Sequence, residues 1–230
     1  YNYPYSAQGS EPPGFDIDVA RAVAQRAGLR SLLHWADTGT RGGLGRALRL
    51  SIQREQCEFF MGIPATPGMA DEMAERKLKL TRPYLGLAYL LVVRGPASGA
   101  KSLADLKGTK IGVPMSTPAD AFLHDRGYDR ELFLRNREIM TALAKGDLAA
   151  GLVWGPALAA ARREFPDAKF ELIPDYVPDP SLRWNLAAAA PAADRELHAL
   201  VDQTVAQLVE SGEMKRIVER YGMPYLAPAP

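Results

Sequence analysis

One cysteine, three histidines, a glycine-rich turn and a Met-Ser-Thr run ahead of a helix are the places where this chain could do chemistry. Cys57 stands alone, so neither a disulfide within these residues nor a cysteine metal cluster is expected. His34, His124 and His198 are scattered, and none keeps metal-ligand spacing with another. His198 falls on the polar side of its helix and is expected in solvent. There is no Gly-x-Ser-x-Gly elbow and no His-Glu-x-x-His pair. Gly39-Thr40-Arg41-Gly42-Gly43 lacks the Gly-Lys-Ser/Thr ending of a phosphate loop, and Gly42, Gly43 and Gly45 make no dinucleotide fingerprint. Met115-Ser116-Thr117 sits where backbone N–H groups could take an anion, or where Ser116 or Thr117 simply caps the helix. These residues predict no enzyme, no cofactor and no metal site.

The rest of the sequence must position whatever the chain does bind. Its 230 residues allow one large or two modest domains, with 47% hydrophobic and 24% charged residues. A net charge of +1 gives no electrostatic reason to expect nucleic acid or an acidic membrane. No apolar run is long enough to span a bilayer, so membrane insertion is not expected. Leu87-Ala88-Tyr89-Leu90-Leu91-Val92-Val93-Arg94 reads as one buried strand. A second crossing is expected near residues 183–188, at Arg183-Trp184-Asn185-Leu186-Ala187. Two crossings predict two α/β lobes, 1–92 with 186–230 and 93–185, and a cleft between them.

In the first lobe a helix is expected from Ile17, ended by Gly28, with Asp16 and Asp18 at its positive end. A short strand is expected at Leu32-Leu33-His34-Trp35, a helix from Leu44, a strand over Cys57–Ile63 and a helix from Met69 to Lys77. That alternation predicts a mostly parallel sheet. After Gly95-Pro96 the second lobe reads as Ser102–Leu106 helix, Thr109–Val113 strand, Ala119–Asp125 helix and Leu132–Leu134 strand. Glu138–Lys145 helix, Ala150–Trp154 strand, Ala157–Glu164 helix and Phe170–Ile173 strand follow. A long last helix is interrupted at Ser211-Gly212.

These signatures resemble the bacterial extracellular solute-binding proteins of the amino-acid-binding type. The residues that carry the resemblance are Gly14-Phe15-Asp16-Ile17-Asp18-Val19-Ala20, Thr81-Arg82-Pro83-Tyr84, Ser102-Leu103-Ala104-Asp105-Leu106-Lys107-Gly108 with Ile111-Gly112-Val113, and Gly212-Glu213-Met214 with Tyr221-Gly222. The resemblance implies a two-lobed type II binding-protein fold: two mixed sheets flanked by helices and joined by hinge strands near 87–94 and 183–188. It also implies a strand ahead of Tyr3-Pro4-Tyr5-Ser6, expected together with a signal peptide to lie outside this chain. In that family an arginine clamps the ligand carboxylate and an aspartate takes its ammonium. The matching positions here hold Met69 and Trp154. A buried zwitterion would then lack both partners, several kcal/mol per ion, so amino acids are not the expected ligand.

Cys57 with Gly62-Ile63-Pro64-Ala65, Val153-Trp154-Gly155-Pro156 and Tyr221-Gly222-Met223-Pro224 is similar to a narrower branch, the MxaJ/XoxJ-type proteins. That resemblance implies a periplasmic, non-enzymatic accessory of a PQQ-dependent methanol dehydrogenase. It further implies a possible disulfide from Cys57 to a cysteine outside this chain. The alternative is a transport receptor for a small, weakly polar solute. The residues expected at the ligand or partner site are Tyr5, Ser6, Trp35, Arg41, Pro64 and Thr66, with Met69, Tyr84, Met115, Ser116, Thr117, Trp154 and Trp184. Trp154 either walls an apolar ligand or packs between strand and helix, and Trp184 is expected to pack at a hinge.

Overall fold

A computed structural model describes residues 14–38, 41–174 and 176–229. Tyr5, Ser6, Gly39 and Thr40 lie outside the described residues. The strands are β1 Phe60–Pro64, β2 Leu78–Leu80, β3 Leu85–Val93, β4 Ile111–Pro114, β5 Arg130–Phe133, β6 Ala150–Trp154, β7 Glu171–Leu172 and β8 Arg183–Pro191. The α-helices are α1 Phe15–Arg26, α2 Gly43–Leu50, α3 Pro67–Glu75, α4 Pro118–Asp125, α5 Asn136–Lys145, α6 Gly155–Glu164, α7 Arg195–Glu210 and α8 Glu213–Arg220. The chain is α/β, as its alternating pattern predicts.

The described residues form two compact units. Unit 1 runs to Gly86 and also holds Trp184–Arg220 and the residues from Tyr225; unit 2 holds Leu87–Arg183 and Tyr221–Pro224.

In unit 1, β8 is flanked by β1 and β2, and both pairs are antiparallel. The mostly parallel sheet expected here is therefore corrected. β8 enters from the far end of the sequence and runs against the strands it joins, which periodicity along one segment cannot reveal. The three-residue β2 was missed; its brevity leaves no period to read. Leu32–Trp35, expected as a strand, is not one, and Leu32 is 76% exposed. A strand exists only through pairing, and among the described residues this segment has none. Leu48, Ile52, Ile63, Met73, Leu78 and Ala189 form a buried cluster.

In unit 2 the sheet order is β3-β6-β4-β5, with β7 also on β3. β4 is parallel to β5 and β6, whereas β6 and β7 are antiparallel to β3. All nine residues of β3 are buried, which explains a continuous apolar run in place of alternation. Gly112 and Gly151 are register partners on β4 and β6. A Cβ on Gly112 would lie 2.4 Å from Leu148 Cδ2 and 2.8 Å from Ile139 Cγ2. On Gly151 it would lie 2.9 Å from Ile139 Cγ2. The paired glycines let the side chains of α5 settle directly on the sheet.

Candidate binding residues

Two groups of residues assemble, one in each unit. In unit 2, register sets Tyr89 on β3 opposite Trp154 at the end of β6. Their ring centroids are 5.9 Å apart at 57°, a tilted aromatic pair. The Tyr89 hydroxyl is hydrogen-bonded to the Thr117 side chain, and burial pushes its pKa up against that bond. Asn136 Oδ1, at the start of α5, accepts from Trp154 N at 2.9 Å. Trp154 is half-buried. Of the residues expected from sequence, Trp154 and Thr117 are brought together here. Tyr89 and Asn136 were missed. Tyr89 was legible only as one apolar residue of a buried strand, and Asn136 only as a helix start.

The Met115-Ser116-Thr117 run resolves toward capping. Thr117 Oγ1 accepts from Asp120 N at 3.3 Å and donates to Pro114 O at 2.7 Å. Pro118 follows at the first helical position, where its missing N–H is no loss. Ser116 has φ 58, and its N–H is donated to Asp120 Oδ2 at 2.9 Å. Arg130 Nε meets the other oxygen of that carboxylate at 2.6 Å. Burial alone would raise the Asp120 carboxyl, but the Ser116 N–H and Arg130 hold it below the ordinary range. A carboxylate of the protein's own therefore already occupies this turn. Met115 is 44% exposed beside it.

In unit 1, the Tyr84 hydroxyl donates to Asp16 Oδ1 at 2.6 Å and accepts from Gly62 N at 3.0 Å. Tyr84 is fully buried and Asp16 nearly so. Gly62 has φ 79, and the β1–β8 register shifts between Phe60 and Ile63. That irregularity aims the Gly62 amide out of the ladder and at Tyr84. Asp16 was read from sequence only as a charge suited to a helix start. Its buried contact with Tyr84 was missed, because 68 residues separate the two.

Downstream of Gly62, Pro64 pairs with Leu186, and Ala65 N is donated to Asn185 O at 2.8 Å. Thr66 caps α3 by accepting from Met69 N at 3.2 Å. The Met69 side chain packs against the buried cluster of unit 1. Trp184 is half-buried at the start of β8. Trp35 is half-buried outside any strand, and Arg41 is exposed in the turn before α2; neither joins the groups above.

Cys57 packs at the edge of the same cluster, and burial pushes its thiol up against a hydrogen bond with Ser51. His198, expected in solvent, is corrected: its Nε2 donates to Leu80 O at 2.9 Å, because α7 packs over β2 at that point. Among the described residues no group of three His, Cys, Asp or Glu is arranged to hold a metal ion. No helix of the described residues is long and apolar enough to cross a membrane.

No protein-family model matches the chain, and no curated protein matches it. Solved structures do. The second substrate-binding domain of a putative amino acid ABC transporter from Streptococcus pneumoniae is 21% identical, with TM-score 0.70 over 90% of this chain and 89% of that one. The open substrate-binding domain 2 of GlnP from Lactococcus lactis is 21% identical, with TM-score 0.70 over 90% and 84%. MxaJ from Methlophaga aminisulfidivorans is 14% identical, with TM-score 0.68 over 98% and 97%. This chain has the α/β fold of the type II periplasmic solute-binding proteins.

Proposed function

We propose that this protein is an extracytoplasmic, non-enzymatic binding protein that acts as an accessory to a PQQ-dependent alcohol dehydrogenase. It engages the dehydrogenase, or a peptide of it, during maturation or activation. The observation that carries this reading is the uncharged character of the assembled residues. At the position of the amino-acid binders' arginine, Met69 packs on an apolar cluster. At the position of their aspartate, Trp154 stands against Tyr89 beside Thr117 and Asn136. An aromatic pair with neutral hydrogen-bonding groups suits an apolar side chain or a weakly polar group, not a zwitterion. The likeness to MxaJ over nearly the full length of both chains supports the same reading.

The test is co-purification with the quinoprotein dehydrogenase of the cognate system, combined with dehydrogenase maturation assayed with and without this protein. Trp154→Ala should weaken both. Absence of complex and of any effect on maturation would remove the proposal. A second reading, a transport receptor for a small weakly polar solute, draws support from the likeness to transporter binding domains. It requires a melting-temperature shift in a metabolite screen, with about 2.7 kcal/mol of stabilisation at a hundredfold excess over Kd.

A further inference from the structure

Within unit 2, β5 ends the sheet and, among the described residues, pairs only with β4. Its register with β4 runs without a bulge from Arg130 to Phe133. Asp129 O accepts from Ile111 N at 3.0 Å, and Phe133 O from Met115 N at 2.8 Å. Backbone groups alternate in direction along a strand, so the N–H and C=O of Arg130 and Leu132 face the open side. Such an edge is a template for a further strand unless lysine, proline or a bulge blunts it. β5 has none of these. Instead, Leu132 is 47% exposed and Leu134, just past the strand, 74%.

The charges at the ends of the segment decide what fits there. Asp129 and Arg135 are both exposed, and neither has an ion pair among the described residues. Arg135 is extended, at φ -139 and ψ 145, so it continues the direction of the strand. An identical strand laid antiparallel and centred on Leu132 sets Leu132 against Leu132, Arg130 against Leu134 and Asp129 against Arg135. Both ends then close on opposite charges, and the apolar side chains meet in the middle. Centring on Glu131 instead would set Glu131 against Glu131, like charge on like. Centring on Phe133 would set Leu132 against Leu134, whose N–H is already given to Glu138 Oε2 at 3.1 Å. The segment is therefore complementary to itself in one register, and a two-fold contact of this kind closes at a dimer.

We infer that the open edge of β5 pairs with the same edge of a second copy of this chain, antiparallel about Leu132, with Asp129 of each copy against Arg135 of the other. This does not rest on the proposed function. It is tested by sedimentation velocity of the whole chain over a concentration series reaching several hundred micromolar. A contact this small belongs to the weak end of protein interfaces, so a monomer–dimer equilibrium with a Kd in the micromolar range is expected. Asp129→Arg and Arg135→Asp each put like charges together and should weaken association by about tenfold or more. The double variant D129R/R135D should restore it, which also shows that the substituted chains fold. Leu132→Lys, at an exposed position, should abolish the dimer while leaving the melting temperature of the dilute chain unchanged. A chain that stays monomeric across the series overturns the inference. So does a dimer that Asp129→Arg or Leu132→Lys leaves as strong as before, or a double variant that associates no better than the single ones.

Discussion

The Tyr84 hydroxyl is bonded at once to a carboxylate oxygen of Asp16, at 2.6 Å, and to the amide of Gly62, at 3.0 Å. Two signatures that look independent in sequence, Gly14–Ala20 and Thr81–Tyr84, are thereby one device. It fixes the start of α1 and the irregular middle of β1 to the end of the Thr81–Tyr84 segment. Thr81 completes the anchorage: its N–H goes to Ala188 O at 2.8 Å, and its Oγ1 accepts from Ala188 N at 3.1 Å.

Tyr84→Phe keeps the ring but removes the hydroxyl, leaving Asp16 Oδ1 and the Gly62 N–H without it in a buried site. The expected cost is about 1–3 kcal/mol, read as a lower urea midpoint with an unchanged m-value. A midpoint equal to the parent's would mean that the node contributes nothing.

Stability should decline in alkali. Burial raises the pKa of Tyr84, Tyr89 and Tyr176, the last to about 12. In the unfolded chain tyrosines ionise near pH 10, so above that pH the unfolded state binds fewer protons than the native state. The contribution is intact below about pH 10 and is lost as pH rises toward the folded values. Urea midpoints across this window, with phenolate absorbance recorded in parallel, should fall in the parent and fall less in Tyr84→Phe. A flat profile in the parent refutes this account.

Gly112→Ala places a methyl 2.4 Å from Leu148 Cδ2 and 2.8 Å from Ile139 Cγ2. Overpacking of this kind costs about 1–3 kcal/mol. Gly127→Ala, at a position with open space but φ 66, should cost less, about 1 kcal/mol. Thermal melts of the two variants rank them, and the reverse order would contradict the packing of α5 on the sheet.

Thr117→Ala removes the cap of α4 and the partner of Tyr89 together. Loss of the cap alone costs about 1 kcal/mol. Thr117→Ser should recover most of that. Since Tyr89 stands against Trp154, tryptophan emission is expected to shift in Thr117→Ala and to return in Thr117→Ser. Emission unaltered in both would detach Thr117 from the aromatic pair.

Asp202 binds Arg82 through three bonds, from its N–H at 2.6 Å, Nε at 3.0 Å and Nη2 at 2.7 Å. Burial alone would raise this carboxyl, but the Arg82 bonds outweigh it and hold the pKa below the ordinary value. The pair's contribution is therefore present above about pH 4 and lost as pH falls through the folded value. With Arg82 half exposed, Asp202→Asn should cost up to about 1 kcal/mol at pH 7 and less at pH 3. A cost that is the same at both pH values would argue against the ionic origin.

Periodicity and punctuation made most helices legible, and the strand at Ala150–Trp154 emerged with the predicted limits. Local forces set these: apolar spacing, Thr66 and Thr117 as caps, glycine stops such as Gly146 at φ 83. That Met69 and Trp154 are uncharged was equally plain, since it is a matter of residue type. Strand direction was not, because β8 meets β1 and β2 across more than a hundred residues of chain. Nor was the pairing of Tyr89 with Trp154, which needs the register of two antiparallel strands. The buried Asp16–Tyr84 contact, the Gly86–Leu226 bridge and the Asn185–Ala229 bond likewise join residues that no local pattern relates. Sequence alone indicated where most helices lie, though Pro67–Glu75, Asn136–Lys145 and Gly155–Glu164 start ahead of their expected first residues, and which side chains carry charge; only the tertiary structure decided which distant residues meet, because a hydrogen bond or a ring contact depends on position in space and leaves no period along the chain.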